Sequence, residues 1–233
     1  MALEKLPATR NIPELGINVG GLQRYSTACM FLPEPSLSGE HLRLREWLRH
    51  TVSSAARHYR KARELVARQE SADQIKSGGV VFYVFDVPEH IENCVAALYR
   101  VCAALTRMSA ANSFASEFSA RFRIAIEELR TFRNQFEHMH GQIVPGQTGP
   151  GPIVIGFGDE GKCIRFRTLA MPTERLHGLI EGAFRQVATL YPNFDPDSAP
   201  TPDGFTTLQM SMTVRVIEHG GDVVAEPDEP NAL

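Results

Sequence analysis

The chain has 233 residues, 43% of them hydrophobic and 22% charged, and its formal net charge is −3. This composition is ordinary for a soluble globular protein with a sizeable core. The slightly negative charge excludes a cationic field over the whole molecule, so nucleic acid would have to bind at a local basic patch. One such patch on a predicted helix contains four arginines, Arg121, Arg123, Arg130 and Arg133.

The sequence shows no sign of a membrane or targeting segment. No run approaches the roughly 18 apolar residues that a spanning helix needs, and the N-terminus lacks the apolar region of a signal peptide. We therefore expect a cytoplasmic protein with no membrane contact. The four cysteines show no C-x-x-C spacing, and Cys94 and Cys102 occupy apolar helix positions, which predicts buried thiols.

Residues 1–37 combine Gly20-Gly21 with several prolines and a short apolar run at 28–32, which predicts an irregular arm with one edge strand. Ser38 is then positioned to cap a long amphipathic helix that ends near Gln69. The face of this helix opposite its apolar stripe is basic. Such a face is usually only solvated, but this one is also the best candidate for a surface that follows a phosphate backbone. It contains Arg43, Arg49, Arg57, Arg60, Lys61 and Arg68.

Two more amphipathic helices are predicted in the middle of the chain. The apolar run 80–85 is a buried strand or an extended lead-in to the first of them, which spans 88–108. The second follows Asn112, a plausible N-cap, and extends to Gly141. Its apolar residues recur three and four positions apart: Phe114, Phe118, Phe122, Ala125, Leu129, Phe132 and Phe136.

The last third of the chain mixes strands, loops and one helix. Residues 153–157 and 163–167 flank the turn 158–161, which predicts a β-hairpin. Pro172 and Thr173 open a fourth helix that ends near Leu190. An exposed loop at 192–204, an alternating strand within 206–217 and a mobile acidic tail are expected after it.

Together these elements predict an α+β fold, a four-helix bundle with a small antiparallel sheet. The sheet is expected to contain 153–157, 163–167 and 206–217, with the N-terminal arm or residues 80–85 as further candidates. The predicted organisation is an arm at 1–37, a bundle at 38–191 with the hairpin inserted at 153–167, and a C-terminal segment at 192–233. So few strands make pairing with a second chain plausible.

Side chains with chemically active groups are most concentrated at the end of the third predicted helix. At about 100° per residue, Arg130, Asn134 and His138 form one stripe, whereas Arg133 and Glu137 form another with i,i+4 ion-pair spacing. Arg133 and His138 point roughly 140° apart on an ideal helix. They can share one substrate only if the helix is distorted, if the arginine reaches round, or if a second chain supplies the partner group.

The pattern Arg133-Asn134-x-x-x-His138 resembles the Arg-polar-x-x-x-His signature of HEPN (higher eukaryotes and prokaryotes nucleotide-binding) domains. These are small helical bundles, many of them metal-independent endoribonucleases that work as dimers. The resemblance implies that His138 is the acid/base group at the ribose 2′-hydroxyl, that Arg133 holds the scissile phosphate and that Asn134 assists. Toxin-type members often carry tyrosine two residues after the histidine, where this chain has His140.

The proposed chemistry also agrees with the side chains themselves. An imidazole titrates near pH 6.5 and can exchange protons with a hydroxyl, and a guanidinium can hold a phosphate through two hydrogen bonds. Arg130, Glu137 and His140 are weaker candidates, and His140 would return to the Arg133 face of a continuous helix.

Other functions fit the same residues. One is a non-catalytic bundle that binds nucleotides or acts through a regulatory protein partner. Another is a helix end with no function of its own, where His138 interacts favourably with the helix dipole. A zinc site of His138 and His140 is disfavoured because side chains two residues apart on a helix diverge by about 200°. We therefore expect no cofactor or metal, and RNA or a nucleotide, a second copy of the chain or a regulatory protein as partners.

Overall fold

The computed structural model describes residues 8–29, 39–71, 85–109, 113–139, 141 and 154–198. Within these ranges the protein is α+β, mainly helical with a three-stranded antiparallel sheet in the order β1-β2-β3. The helices are α1 (Val19–Cys29), α2 (Gly39–Glu70), α3 (Asp86–Ser109), α4 (Ser113–Arg121), α5 (Arg123–Glu137) and α6 (Thr173–Ala188). The strands are β1 (Gly156–Gly158), β2 (Cys163–Phe166) and β3 (Leu169–Pro172).

Helices α2 and α3 form the most extensive packed pair of elements. Each presents an apolar stripe at three- and four-residue spacing, and the side chains of that stripe are buried in a common core. Acidic residues in the first turn of α3 and Arg107 in its last turn complement the helix dipole. The two predicted helices are confirmed, with ends within two residues of those expected, and the predicted cap Ser38 lies outside the described residues. Cys94 and Cys102 are buried, as predicted.

The predicted irregular arm is wrong in part, because it contains α1. The edge strand expected at 28–32 is also wrong at its first two positions, which are helical, and the rest of it lies outside the described residues. Asn18 Oδ1 accepts the backbone N–H of Gly21 at 2.7 Å, so a side-chain cap stabilises the first turn. Gly21 leaves the room that this cap needs, since a Cβ there would meet the Asn18 side chain.

The arm is also part of the main core. Ile12, Leu15 and Ile17 are buried in the same cluster as residues of α2, α3 and α6. Arg60 of α2 donates a hydrogen bond to the carbonyl of Ile17 at 2.6 Å, and Tyr59 donates one to the carbonyl of Pro13 at 2.9 Å. The segment before α2 is therefore tied to the helices that follow it.

The single helix predicted between Asn112 and Gly141 is two helices with a kink at Phe122, whose φ is −104° and ψ is 13°. Backbone hydrogen bonds continue across the kink, from Phe122 N–H to the Phe118 carbonyl and from Ile126 N–H to the Phe122 carbonyl. The Phe122 ring packs where α6 has Gly182, because a Cβ at that glycine would meet the ring. The kink therefore lies at a tertiary contact, and no proline or glycine is present locally to predict it.

The predicted hairpin is confirmed as β1 and β2, which pair antiparallel with Phe157 opposite Ile164. Strand β3, which pairs antiparallel with β2, was missed because it is short and ends at the proline that predicted a helix start. Thr173 then opens α6, and its hydroxyl donates to the Gly161 carbonyl at 2.7 Å. Residues 192–198 form the expected loop, whereas the strands predicted at 206–217 and 80–84 lie outside the described residues.

Candidate functional site

The predicted site lies at the C-terminal end of α5. The opposite face of this helix buries Ala125, Leu129 and Phe132. Phe136 packs edge-on against the buried ring of Phe166 in β2, with ring centroids 5.7 Å apart. The end of the helix is therefore packed against the sheet.

Helix α5 ends at Glu137, earlier than the Gly141 predicted from the sequence. His138 is the C-cap, with φ −96° and ψ 7°, and its backbone N–H donates to the Asn134 carbonyl at 3.1 Å. His140 lies outside the described residues. The expectation that its side chain returns to the Arg133 face of the helix therefore stays a prediction.

Three contacts orient the guanidinium of Arg133. It forms the predicted ion pair with Glu137, one of its nitrogens donates to Asn134 Oδ1 at 3.1 Å, and its central carbon lies 5.2 Å from the centroid of the Tyr99 ring. The Arg133 side chain nevertheless keeps 32% of its surface exposed. It is thus held in place and still accessible to a ligand. Tyr99, on α3, was not identified from the sequence.

The imidazole of His138 is exposed, and no described residue forms a hydrogen bond or ion pair with it. The Asn134 side chain is exposed as well, and Arg130 pairs with Glu127 at 2.6 Å, toward the start of the helix. The contacts within one chain therefore bring Arg133, Asn134 and Glu137 together, but they do not join the His138 ring to them.

Acidic neighbours neutralise much of the predicted basic surface. In the four-arginine patch, Arg130 and Arg133 are both ion-paired with glutamates. On α2, Lys61 and Arg68 both pair with Glu64. Arg60 is used as a donor to the arm, as described above. These contacts weaken the interpretation of the α2 face as a phosphate-following surface, and they reduce the net positive charge of the four-arginine patch as well.

Sequence reasoning missed a polar cluster that joins three segments. The carboxylate of Glu46 accepts hydrogen bonds from Ser26 in α1 at 2.9 Å, from Arg49 at 2.8 Å and from Tyr191 at 2.8 Å. Burial would raise the pKa of Glu46, but these donors and the charge of Arg49 outweigh it, and the pKa is lowered from its ordinary value. The guanidinium of Arg45 lies 4.6 Å from the centroid of the Tyr191 ring. No spacing rule links these residues, and their contacts indicate a structural role.

Two shallow cavities lie near α5 without including Arg133 or His138. One, of about 320 Å³, lies between α5 and β3 and is lined in part by Arg123 and Thr131. The other, of about 350 Å³, lies between α4 and α6. The exposure of His138 and Asn134 outside both cavities suits an extended ligand better than an enclosed small molecule.

Within the ranges listed above for the structure, no helix is long and apolar enough to cross a membrane. The same ranges contain no group of three or more histidine, cysteine or acidic side chains that could hold a metal ion. The sequence matches no protein-family model, and no significant match is found among curated proteins or solved structures.

Proposed function

We propose that the chain is a HEPN-like, metal-independent endoribonuclease and that the end of α5 is its catalytic surface. In this proposal α2, α3, α6 and the kinked pair α4–α5 serve as the four helices of the bundle. The observation that carries it is the orientation of Arg133. Three contacts hold its guanidinium while about a third of the side chain stays exposed, and the exposed His138 follows five residues later. The match to the Arg-polar-x-x-x-His pattern supplies the reaction class.

The proposed reaction needs only groups of the protein and the RNA. The imidazole of His138 takes the proton of a ribose 2′-hydroxyl, and the freed oxygen attacks the adjacent phosphorus. Arg133 stabilises the negative charge that develops on the phosphate oxygens. The bond from phosphorus to the 5′-oxygen breaks, that oxygen receives a proton from an imidazolium, and the products are a 2′,3′-cyclic phosphate and a 5′-hydroxyl.

A second copy of the chain completes the site in this proposal. His138 and Arg133 of one chain share no contact, whereas a two-fold dimer would place the histidine of each chain beside the arginine of the other. When a phosphate binds to Arg133, the ion pair between Arg133 and Glu137 must be partly broken. We assign this activity to the cytoplasm, with RNA as the substrate.

The test is cleavage of a mixed-sequence RNA in excess chelator by wild type, His138→Ala and Arg133→Ala. Removing a general base or an oriented charge typically lowers rates by about 10²-fold or more. His50→Ala and Arg10→Ala are matched controls, because both side chains are exposed and far along the chain from α5. The proposal fails if wild type does not cleave, or if cleavage survives both substitutions at α5.

A second candidate function is a non-catalytic bundle that binds nucleotides or acts through a regulatory protein. The observation that favours it is the ion pair with Glu137, which neutralises Arg133 in the single chain. RNA binding that depends on Arg133, but is not followed by cleavage at any protein concentration, would select this alternative.

A further inference from the structure

Two histidines from different helices face each other at the interface between α2 and α3. His58 Nδ1 and His90 Nδ1 are 3.0 Å apart, the ring centroids are 5.2 Å apart, and the ring planes are inclined by 40°. Both side chains are half-buried. At this distance one Nδ1 must carry a hydrogen and the other must accept it, because a neutral imidazole has one donor and one acceptor nitrogen.

The pair sits at the edge of the core, near the start of α3. Val87 and Ile91 on either side of His90 are buried, and Cys94 one turn later is fully buried. Burial in an apolar surrounding raises the pKa of the Cys94 thiol to about 12. The histidine bond is therefore a polar contact beside the buried apolar residues at the start of α3.

We propose that His58 and His90 form a proton-operated latch between α2 and α3. With one shared hydrogen the latch is closed, and both rings contribute to the helix contact. When both rings are protonated, two N–H donors and two positive charges face each other across 3.0 Å. The latch then opens and releases the first turns of α3 from α2. This inference does not depend on the ribonuclease proposal.

The charged groups around the pair determine the direction of the effect. Burial lowers the pKa of His58, and the neighbouring His90 and Arg57 lower it further, whereas Glu89 acts in the opposite direction. The lowered pKa means that His58 binds a proton less readily in the folded protein than in the unfolded chain. The unfolded chain therefore binds more protons as the pH falls below about 6.5. The contribution of the latch to stability is complete above that pH and is lost as the pH falls through the lowered pKa.

The experiment compares hydrogen exchange of residues 86–94 by mass spectrometry at pH 7.5 and pH 5.5, in chelator. The proteins are wild type, His58→Gln, His90→Gln and His50→Gln, the last being an exposed histidine on the same helix as His58. Each exchange rate is divided by the intrinsic rate at its own pH, so that protection can be compared between the two pH values. We expect wild type and His50→Gln to lose protection of this segment at pH 5.5, and the other two variants to show little change between the two pH values.

Titration of the histidine ring signals of wild type by NMR keeps the proposal testable if a variant does not fold. We expect the His58 ring to bind its proton at a lower pH than a free histidine requires, because burial and the neighbouring His90 lower its pKa. Titration of His58 near pH 6.5 would overturn the proposal. An equal loss of protection in wild type and both latch variants would overturn it as well.

Discussion

The Arg133 side chain already has partners, and a bound phosphate would have to compete with one of them. In the free protein its guanidinium is bound by Glu137 and Asn134 and packs on Tyr99. A phosphate would compete with the glutamate for the same nitrogens, whereas the contact with the aromatic face would remain. Tyr99 therefore orients the arginine without occupying its hydrogen-bond donors.

Glu137→Gln tests this competition. The ion pair is on the surface and is worth only about 0.3–0.5 kcal/mol, so the variant should fold with little loss of stability. Because Arg133 is then no longer neutralised, we expect RNA to bind several-fold more tightly, measured by fluorescence anisotropy with a labelled oligonucleotide. Glu127→Gln, which releases Arg130 instead, is the matched control and should have a smaller effect. Unchanged or weaker binding by Glu137→Gln would show that Arg133 does not meet the RNA.

Part of the site could be predicted from spacing alone. The four-residue interval between Arg133 and Glu137 gave their ion pair, because residues at that interval are neighbours on any helix. Tyr99 and the contact between His58 and His90 could not be predicted in this way. They depend on the packing of α3 against α5 and α2, which local sequence does not encode.

At the scale of the element, the two glycines of α6 differ in their surroundings. Gly178 and Gly182 are one turn apart and both half-buried. A Cβ at Gly178 would meet nothing within 4 Å, whereas a Cβ at Gly182 would meet the ring of Phe122. Helix propensity favours alanine over glycine by about 1 kcal/mol, so the neighbours decide the outcome at each position.

Gly178→Ala should therefore raise the free energy of unfolding by roughly 0.5–1 kcal/mol, through propensity and a less flexible unfolded chain. Gly182→Ala should gain less than this or destabilise the protein, because the ring at the kink between α4 and α5 has to move. Urea denaturation of both variants beside wild type measures the difference. An equal gain in the two variants would show that the Phe122 ring does not depend on the space at Gly182.

The elements themselves were predictable where one local pattern dominates. Periodic apolar stripes predicted α2, α3 and α6, and the turn at 158–161 predicted the hairpin of β1 and β2. Helix α1 was not predicted because the pair Gly20-Gly21 is typical of a turn. Its stability depends instead on the Asn18 cap and on the burial of Val19 and Leu22. The kink at Phe122 lies against Gly182 of α6, 60 positions later in the chain, and no local sequence pattern predicts it.

At the scale of the whole molecule, one core joins the arm, the helices and the sheet, and the candidate site lies at its surface. Residues of the arm, α2, α3, α5, α6 and β2 share a single hydrophobic cluster. The Glu46 cluster adds polar contacts between α1, α2 and Tyr191, three residues after the end of α6. This frame can hold the α5 end rigid, but within one chain it does not bring Arg133 and His138 into contact.

A shared site predicts complementation between inactive chains. If each site takes Arg133 from one chain and His138 from the other, an exchanged mixture of Arg133→Ala and His138→Ala contains mixed dimers with one intact site. Because half of the dimers are mixed and each has one good site of two, the mixture should recover about a quarter of wild-type activity. A mixture no more active than its separate components would place the whole site within one chain or remove it from α5.

Whether α5 catalyses attack by the 2′-hydroxyl is tested most directly by the chemical identity of the ends that the protein leaves on RNA. Purified wild type is incubated with RNA in excess chelator, and the products are analysed by mass spectrometry beside those of His138→Ala. Attack by the 2′-hydroxyl predicts 2′,3′-cyclic phosphate and 5′-hydroxyl ends from wild type, and their loss in the variant. Ends carrying a 5′-phosphate, cleavage that needs metal, or identical products from His138→Ala would contradict the assignment of this chemistry to α5.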